Sequence, residues 1–268
     1  MKAYCPGNIS CIFRPYRGDS PATTGSLGMG ITVCCGLTAS VQKGHGIYAD
    51  GKKVAFPTVQ SVLNHLGVTQ AKVDLHAEVP FGCGFGMSGA AALATAYAAN
   101  AFFGLKKKSL ELAMVAHVSE VEQKTGLGDV SGQYLGGILM KLKKGDPLAV
   151  ERIPIRNRVI YYRIFGPIAT KEVITGNKLD LIDKAGKRAL AKLQAEKKPT
   201  LEKILAFSYD FAMESKLLSS TRLHNCIEEV RRRGGQASMI MLGESMMSTI
   251  PFGGSQKATI TRRGIHLL

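Results

Sequence analysis

The sequence predicts an α+β protein built as two lobes with a cleft between them. Three features carry that prediction. Residues 1–56 read as a small antiparallel system punctuated by turns. Residues 73–103 read as a strand, a glycine-rich loop and an alanine-rich helix. Beyond about residue 150 the texture changes to two strand-like runs, three helix-like runs and two further strands. Strands and helices grouped in this way mark α+β units. The expected division is residues 1–150 for the first lobe and 151–268 for the second.

In chain order, Pro6-Gly7-Asn8 reads as a turn between two short extended pieces. Gly25 to Gly30 leads into a strand at Ile31 to Cys35, and Thr38 to Val41 stays extended. Asp50-Gly51 is a hairpin turn, because both residues accept positive φ. A short helix over Thr58 to Leu66 stops at Gly67. Val73 to Val79 alternates apolar and polar, as a half-buried strand does. The helix after the glycine loop runs from Ser88 to Phe103 and ends at Gly104. Ser109 is placed to cap the next helix, with Glu111 in its first turn. Thr125-Gly-Leu-Gly-Asp129 breaks that helix, and Gly136-Gly137 precedes a strand at Ile138 to Leu142. The second lobe reads as strands at Arg152 to Ile155 and Val159 to Phe165. Helices follow at about 178–195, 200–217 and 221–233, then strands at Ala237 to Leu242 and Ala258 to Thr261.

Composition narrows the class. The 268 residues are 45% hydrophobic, enough for a substantial core, and no apolar run is long enough to span a bilayer. The N-terminal stretch has no apolar signal core, so a cytoplasmic setting and no membrane partner are expected. Thirty-five basic against 20 acidic residues leave a net charge of +15, but the basic runs are short and scattered. A nucleic-acid binder gathers such charge on one element with aromatics between, so no nucleic-acid partner is expected. Steering of small anions is the milder consequence. The six cysteines form no C-x-x-C pair, which argues for free thiols rather than zinc. Cys83, inside the glycine loop, reads as a small filler rather than a nucleophile.

The centre of the chain is Pro80 to Ala92, where Gly82, Gly84, Gly86 and Gly89 lie between a strand and a helix. A helix N-terminus presents unpaired N–H groups and the positive end of the dipole, and glycines let the backbone approach an anion closely. A Walker A loop needs Gly-Lys-Ser/Thr, and this loop has no lysine. Gly84-Phe-Gly86-Met-Ser-Gly89 matches the dinucleotide pattern G-x-G-x-x-G. The alternating strand before it is unlike a central parallel strand, and an NAD(P) oxidoreductase is therefore the weaker reading. A third type of phosphate loop opens with proline and closes with Ser-x-Ala, as Pro80 and Ser88-Gly-Ala90 do.

Three features together resemble the GHMP small-molecule kinases. They are Pro6-Gly7, the loop Pro80-x-x-x-Gly84-Phe-Gly86-Met-Ser88-Gly-Ala90, and Gly128-Asp129 with Gly136-Gly137 seven residues after the aspartate. Cys5 to Ser10, Thr24 to Gly30, Lys124 to Val130 and Ser238 to Gly243 narrow the likeness to the archaeal pantoate kinases. The resemblance implies an N-terminal lobe like ribosomal protein S5 and a ferredoxin-like C-terminal lobe. It implies ATP-dependent phosphorylation of a small hydroxy acid, best matched by pantoate on the archaeal route to coenzyme A, with homoserine, mevalonate and shikimate as alternative acceptors. The cofactors implied are ATP and Mg2+, and a homodimer is compatible with it. The chain departs from the family in having Asn8 where many relatives carry a cation, Met87 where they carry a serine, and a reduced C-terminal glycine loop at Gly234-Gly235.

Carried onto this chain, the loop residues Gly82, Gly84, Phe85, Gly86, Met87, Ser88, Gly89 and Ala90 are expected to hold ATP. Ser88 and Glu120 are expected at the metal, with Glu122 competing for Glu120's place. A plainer reading makes both glutamates solvated helix charges. Asp129 is the expected catalytic base, although a helix cap is the plainer reading. Asn8, Ser10 and Ser26 are expected near the acceptor, and Arg14 is one of several arginines able to meet a carboxylate.

Overall fold

The computed structural model describes residues 1–154, 159–168 and 177–268. Two long strands organise the first sheet, β1 (Lys2–Tyr16) and β2 (Gly25–Lys43), paired antiparallel. The turn expected at Pro6-Gly7-Asn8 does not form. β1 runs through it with a register shift between Pro6 and Gly7. Proline lacks the N–H that a regular ladder needs, so the strand bulges there instead of reversing. β3 (Gly46–Ala49) and β4 (Lys52–Val54) make the expected hairpin, with φ of 47° at Asp50 and 79° at Gly51. After α1 (Pro57–His65), β5 (Ala71–Ala77) buries Val73 and Leu75 and lies antiparallel to β2 but parallel to β3.

The helix after the loop, α2 (Met87–Phe103), lies between β1 and β2 on one side and α1 and α3 (Ser109–Gln123) on another. Seven of its alanines are buried, at 90, 91, 92, 94, 96, 98 and 99. Methyl side chains let backbones approach on several sides, which is what a helix buried almost all round requires. Lys108, not Ser109, caps α3; Glu111 accepts a hydrogen bond from the Lys108 N–H at 2.9 Å. The acidic side chain closes the turn that the serine was expected to close.

A short helix, α4 (Asp129–Leu135), leads into β6 (Ile138–Lys141), which pairs with β2. β7 (Glu151–Ile153) pairs with β6, and β12 (His266–Leu267) pairs with β1. The first sheet therefore draws on residues on both sides of position 150. The expected strand end at Ile155 lies outside the described residues. The second sheet is antiparallel in the order β11 (Gln256–Thr259), β8 (Val159–Pro167), β10 (Gly243–Ser248), β9 (Ala237–Met239). α5 (Asn177–Ala195), α6 (Leu201–Glu214) and α7 (Thr221–Arg232) accompany it, giving the two-lobed α+β arrangement. The run expected as one strand, Ala237 to Leu242, ends at Met239, and β10 begins after a turn in which Leu242 takes φ of 64°. A leucine in the left-handed region carries no turn signal in sequence. No helix among the described residues is long and apolar enough to cross a membrane.

That turn presses on the glycine loop. A Cβ built on Gly243 would lie 2.2 Å from the carbonyl carbon and oxygen of Cys83. We expect Gly243→Ala to destabilise the fold by about 1–3 kcal/mol, the usual cost of overpacking. Thermal unfolding checks it, and an unchanged Tm would refute the packing argument.

Candidate active site

The glycine loop is held by its carbonyl groups. The oxygens of Gly82, Phe85 and Gly86 accept from Ile168 N (2.9 Å), Asn8 N (2.9 Å) and Gln133 Nε2 (2.6 Å). Gly86 is the N-cap of α2 at φ 65°, and no side chain caps the helix. The N–H groups of the first turn, at Met87, Ser88 and Gly89, precede the first intrahelical bond, Ala90 N to Gly86 O. Carbonyls tied down and N–H groups left over is the arrangement an anion needs. Phe85 is buried against Tyr162 with ring centroids 5.1 Å apart, so its side chain belongs to the core. Met87 is buried too, its side chain directed towards Gly7. Gly89 and Ala90 are buried in α2, and Gly86 has Asp129 so near that an added Cβ would sit 2.9 Å from its Cγ.

Two carboxylates converge beside the helix start. Glu120 is 1% exposed; its Oε1 accepts from Thr125 Oγ1 at 2.6 Å and its Oε2 from Ser88 Oγ at 3.2 Å. The solvated-charge reading of Glu120 is thus overturned. Burial pushes its carboxyl up to about 7, with the nearby Asp129 charge adding and the Thr125 and Ser88 hydroxyls opposing. Glu122 points elsewhere, exposed and bonded to His65 (2.9 Å) and Ser61 (3.0 Å). Asp129 is the first residue of α4 with Gly128 as N-cap, so the helix-cap reading does not hold. Asn8 Nδ2 donates to Asp129 Oδ1 at 2.8 Å, and the Ser10 hydroxyl also bonds this carboxylate. Burial raises the Asp129 pKa, and those two bonds hold it back.

Ser88, Thr125 and Asp129 line a cleft of about 1170 Å³. Its lining includes the apolar Phe56, Phe81 and Leu242 together with Ser10, Ser26 and much of the 17–24 segment between β1 and β2. His117 steadies that segment, its Nε2 2.9 Å from Thr24 O, and burial lowers its pKa. Adjoining the cleft at Ser10 and Ser26 is a cavity of about 40 Å³, lined also by Asn8, Ser131 and Lys141. Lys141 is 7% exposed and donates from Nζ to Tyr16 Oη at 2.9 Å. Burial lowers it to about 8, with Asp146 opposing. Arg14 is committed elsewhere, to Asp183 at 2.8 Å. Cys83 is buried with its thiol pushed up, as a filler should be.

A family profile, the GHMP kinases N terminal domain, matches residues 53–137. A pantoate kinase of Methanocaldococcus jannaschii is 35% identical over 250 residues, covering 91% of this chain and 90% of that protein. The chain belongs to the GHMP kinase family. It is accordingly an ATP-dependent small-molecule kinase, not an NAD(P) oxidoreductase. This GHMP kinase is also similar to a solved structure titled a phosphotransferase related to the CoA biosynthesis pathway. The TM-score is 0.83 at 25% identity, covering 99% of this chain and 98% of that one. A Methanococcus jannaschii mevalonate kinase shares the fold at TM-score 0.68 and 14% identity, covering 97% and 98%.

Sequence reasoning missed four residues of this GHMP kinase's site: Thr125, Gln133, Lys141 and Thr58. Thr125 was legible as a helix breaker and as part of the Lys124 to Val130 stretch, but not as a partner of Glu120. Gln133, 0% exposed, sits mid-helix with no motif around it. Lys141 resembled the other basic residues of the stretch that ends in Lys143-Lys144.

Proposed function

We propose that this kinase transfers the γ-phosphoryl group of ATP to the hydroxyl of pantoate. The observation that carries the reading is the juxtaposition of Asp129 with a cavity holding a buried lysine. A small hydroxy acid needs a base for its hydroxyl and a cation for its carboxylate, and Asn8, which bonds Asp129, lines the cavity that holds Lys141. The pantoate kinases among the relatives favour this acid over other hydroxy acids.

Phosphoryl transfer depends on positioning and charge more than on covalent chemistry. The N–H groups of residues 87–89 and the α2 dipole hold the phosphates. Asp129 takes or polarises the acceptor proton, and its raised pKa makes it a stronger proton acceptor than an ordinary aspartate. The ammonium of Lys141, with the hydroxyl of Ser26, meets the acceptor carboxylate, while the Ser10 hydroxyl stays on Asp129. Among the described residues Asn8 Oδ1 has no hydrogen-bond partner, which leaves it to accept one from the acceptor.

The residues present also fit a magnesium ion. Two ligands at right angles on Mg2+ lie about 3 Å apart, from bonds of about 2.1 Å. Ser88 Oγ and Glu120 Oε2 are 3.2 Å apart, and Asp129 close by adds negative charge that a cation relieves. When bound there, magnesium neutralises phosphate charge as transfer proceeds. Free thiols fit a cytoplasmic setting.

The test is to incubate the protein with Mg-ATP and a pool of pantoate, homoserine, mevalonate and shikimate, then identify products by mass. Phosphopantoate is expected. Phosphorylation of another acid alone would overturn the acceptor, and no phosphorylated acid would overturn the reading.

A further inference from the structure

Glu120 has two carboxylate oxygens, and the fold treats them differently. Oε1 takes a 2.6 Å hydrogen bond from Thr125 Oγ1, while Oε2 has the longer 3.2 Å bond from Ser88. Oε2 also lies against Gly126, where an added Cβ would come within 2.1 Å of it and 3.6 Å of Asp129 Oδ2. Thr125 stands two residues past the end of α3, just after the C-cap Lys124, where the chain turns sharply (φ 58°). That turn bonds Thr125 N to Glu120 O at 3.0 Å and folds the threonine hydroxyl back over the glutamate. Thr125 Oγ1 is in turn 3.1 Å from Thr58 Oγ1, on the first turn of α1 and fully buried. A threonine hydroxyl has one hydrogen. With that hydrogen given to the glutamate, the Thr125 oxygen accepts from Thr58. The direction of the chain is therefore Thr58 to Thr125 to Glu120.

We propose that Thr125, oriented by Thr58, is a positioning residue that commits Glu120 Oε1 to the protein and leaves Oε2 as the single oxygen offered to the metal. This rests on the reading of Glu120 as a metal-facing carboxylate. It adds how that carboxylate is aimed and which oxygen it presents. An unpinned glutamate beside a glycine turn can rotate or bind a cation through both oxygens. Mg2+ needs single oxygens near octahedral positions, whereas two-oxygen binding suits a larger ion. Partners behind a metal ligand typically hold tenfold to hundredfold of its affinity.

The test measures Mn2+ binding to the full chain with a non-hydrolysable ATP analogue, by the electron paramagnetic resonance of free Mn2+. Thr125→Val keeps the shape and removes the hydroxyl; its Mn2+ affinity should fall at least about tenfold. Thr125→Ser restores the hydroxyl and should bind Mn2+ nearly as wild type does. Thr58→Val should weaken binding less, and should add nothing when Thr125 is already valine, because its effect passes through Thr125. Analogue binding without metal should be unchanged in all three.

Unchanged Mn2+ affinity in Thr125→Val overturns the proposal, as does failure of Thr125→Ser to restore it. Additive losses in the double variant overturn the part given to Thr58. Glu120→Gln separates this from the underlying reading. If it binds Mn2+ normally, Glu120 is not the metal-facing group; if it loses Mn2+ while Thr125→Val does not, only the positioning role fails.

Discussion

Asp129→Asn should lower turnover at least about a hundredfold, within the usual contribution of a positioned general base. The amide can still pair with the Asn8 side chain, whose Nδ2 is 2.8 Å from the carboxylate oxygen, so the local fold should survive. What is lost is the capacity to accept the acceptor's proton. ATP affinity should stay near normal, because the loop N–H groups are held through Asn8 N, Gln133 and Ile168 rather than through Asp129. Steady-state rates and nucleotide titration check both halves. A fully active variant would remove Asp129 from catalysis. A variant inactive only through lost ATP binding would make it a loop support.

Lys141→Met should lower kcat/KM for pantoate about tenfold to a hundredfold, the loss of a charged hydrogen bond of about 1.5–3 kcal/mol. Methionine keeps most of the stem's volume in the buried site. A neutral diol lacking the carboxylate should be used equally well by wild type and variant, which separates charge recognition from damage to the fold. The effect also has a pH signature. Burial lowers Lys141 to about 8, so its positive charge is lost as pH rises through that value. The KM for pantoate should climb above pH 8 in the wild type. It should stay flat there in Lys141→Arg, since a guanidinium remains charged. Equal KM values for wild type and Lys141→Met would show that the carboxylate binds elsewhere.

The legible part of this site is the part encoded locally. The strand, four glycines and alanine helix of residues 73–103 announce an anion-binding turn because each step has a short-range cause. Glycine takes positive φ, alanine favours helix, and a helix start leaves N–H groups unpaired. Asp129 and Glu120 stood out through the likeness to the GHMP kinases, Asp129 by the Gly-Gly seven residues on and Glu120 by its place on the helix before it. The turn expected at Pro6 and the strand expected through Leu242 failed for one reason: each was settled by a neighbouring element. β2 pulls β1 straight through Pro6, and Cys83 faces the turn before β10.

By itself, the sequence determined the two-lobed α+β class, the glycine loop and the order of the acidic groups, since periodicity and turn chemistry act within a few residues. Only the tertiary structure decided which polar groups are buried and whom they meet. Lys141 reaches Tyr16 from 125 residues away, and Asn8 reaches Asp129 across 121. Glu120 and Glu122, two residues apart on one helix, part company because one side of α3 faces the glycine loop and another faces His65. Burial in a common cleft changes a charge's partners and its pKa, and that is a property of contacts formed across the chain rather than along it.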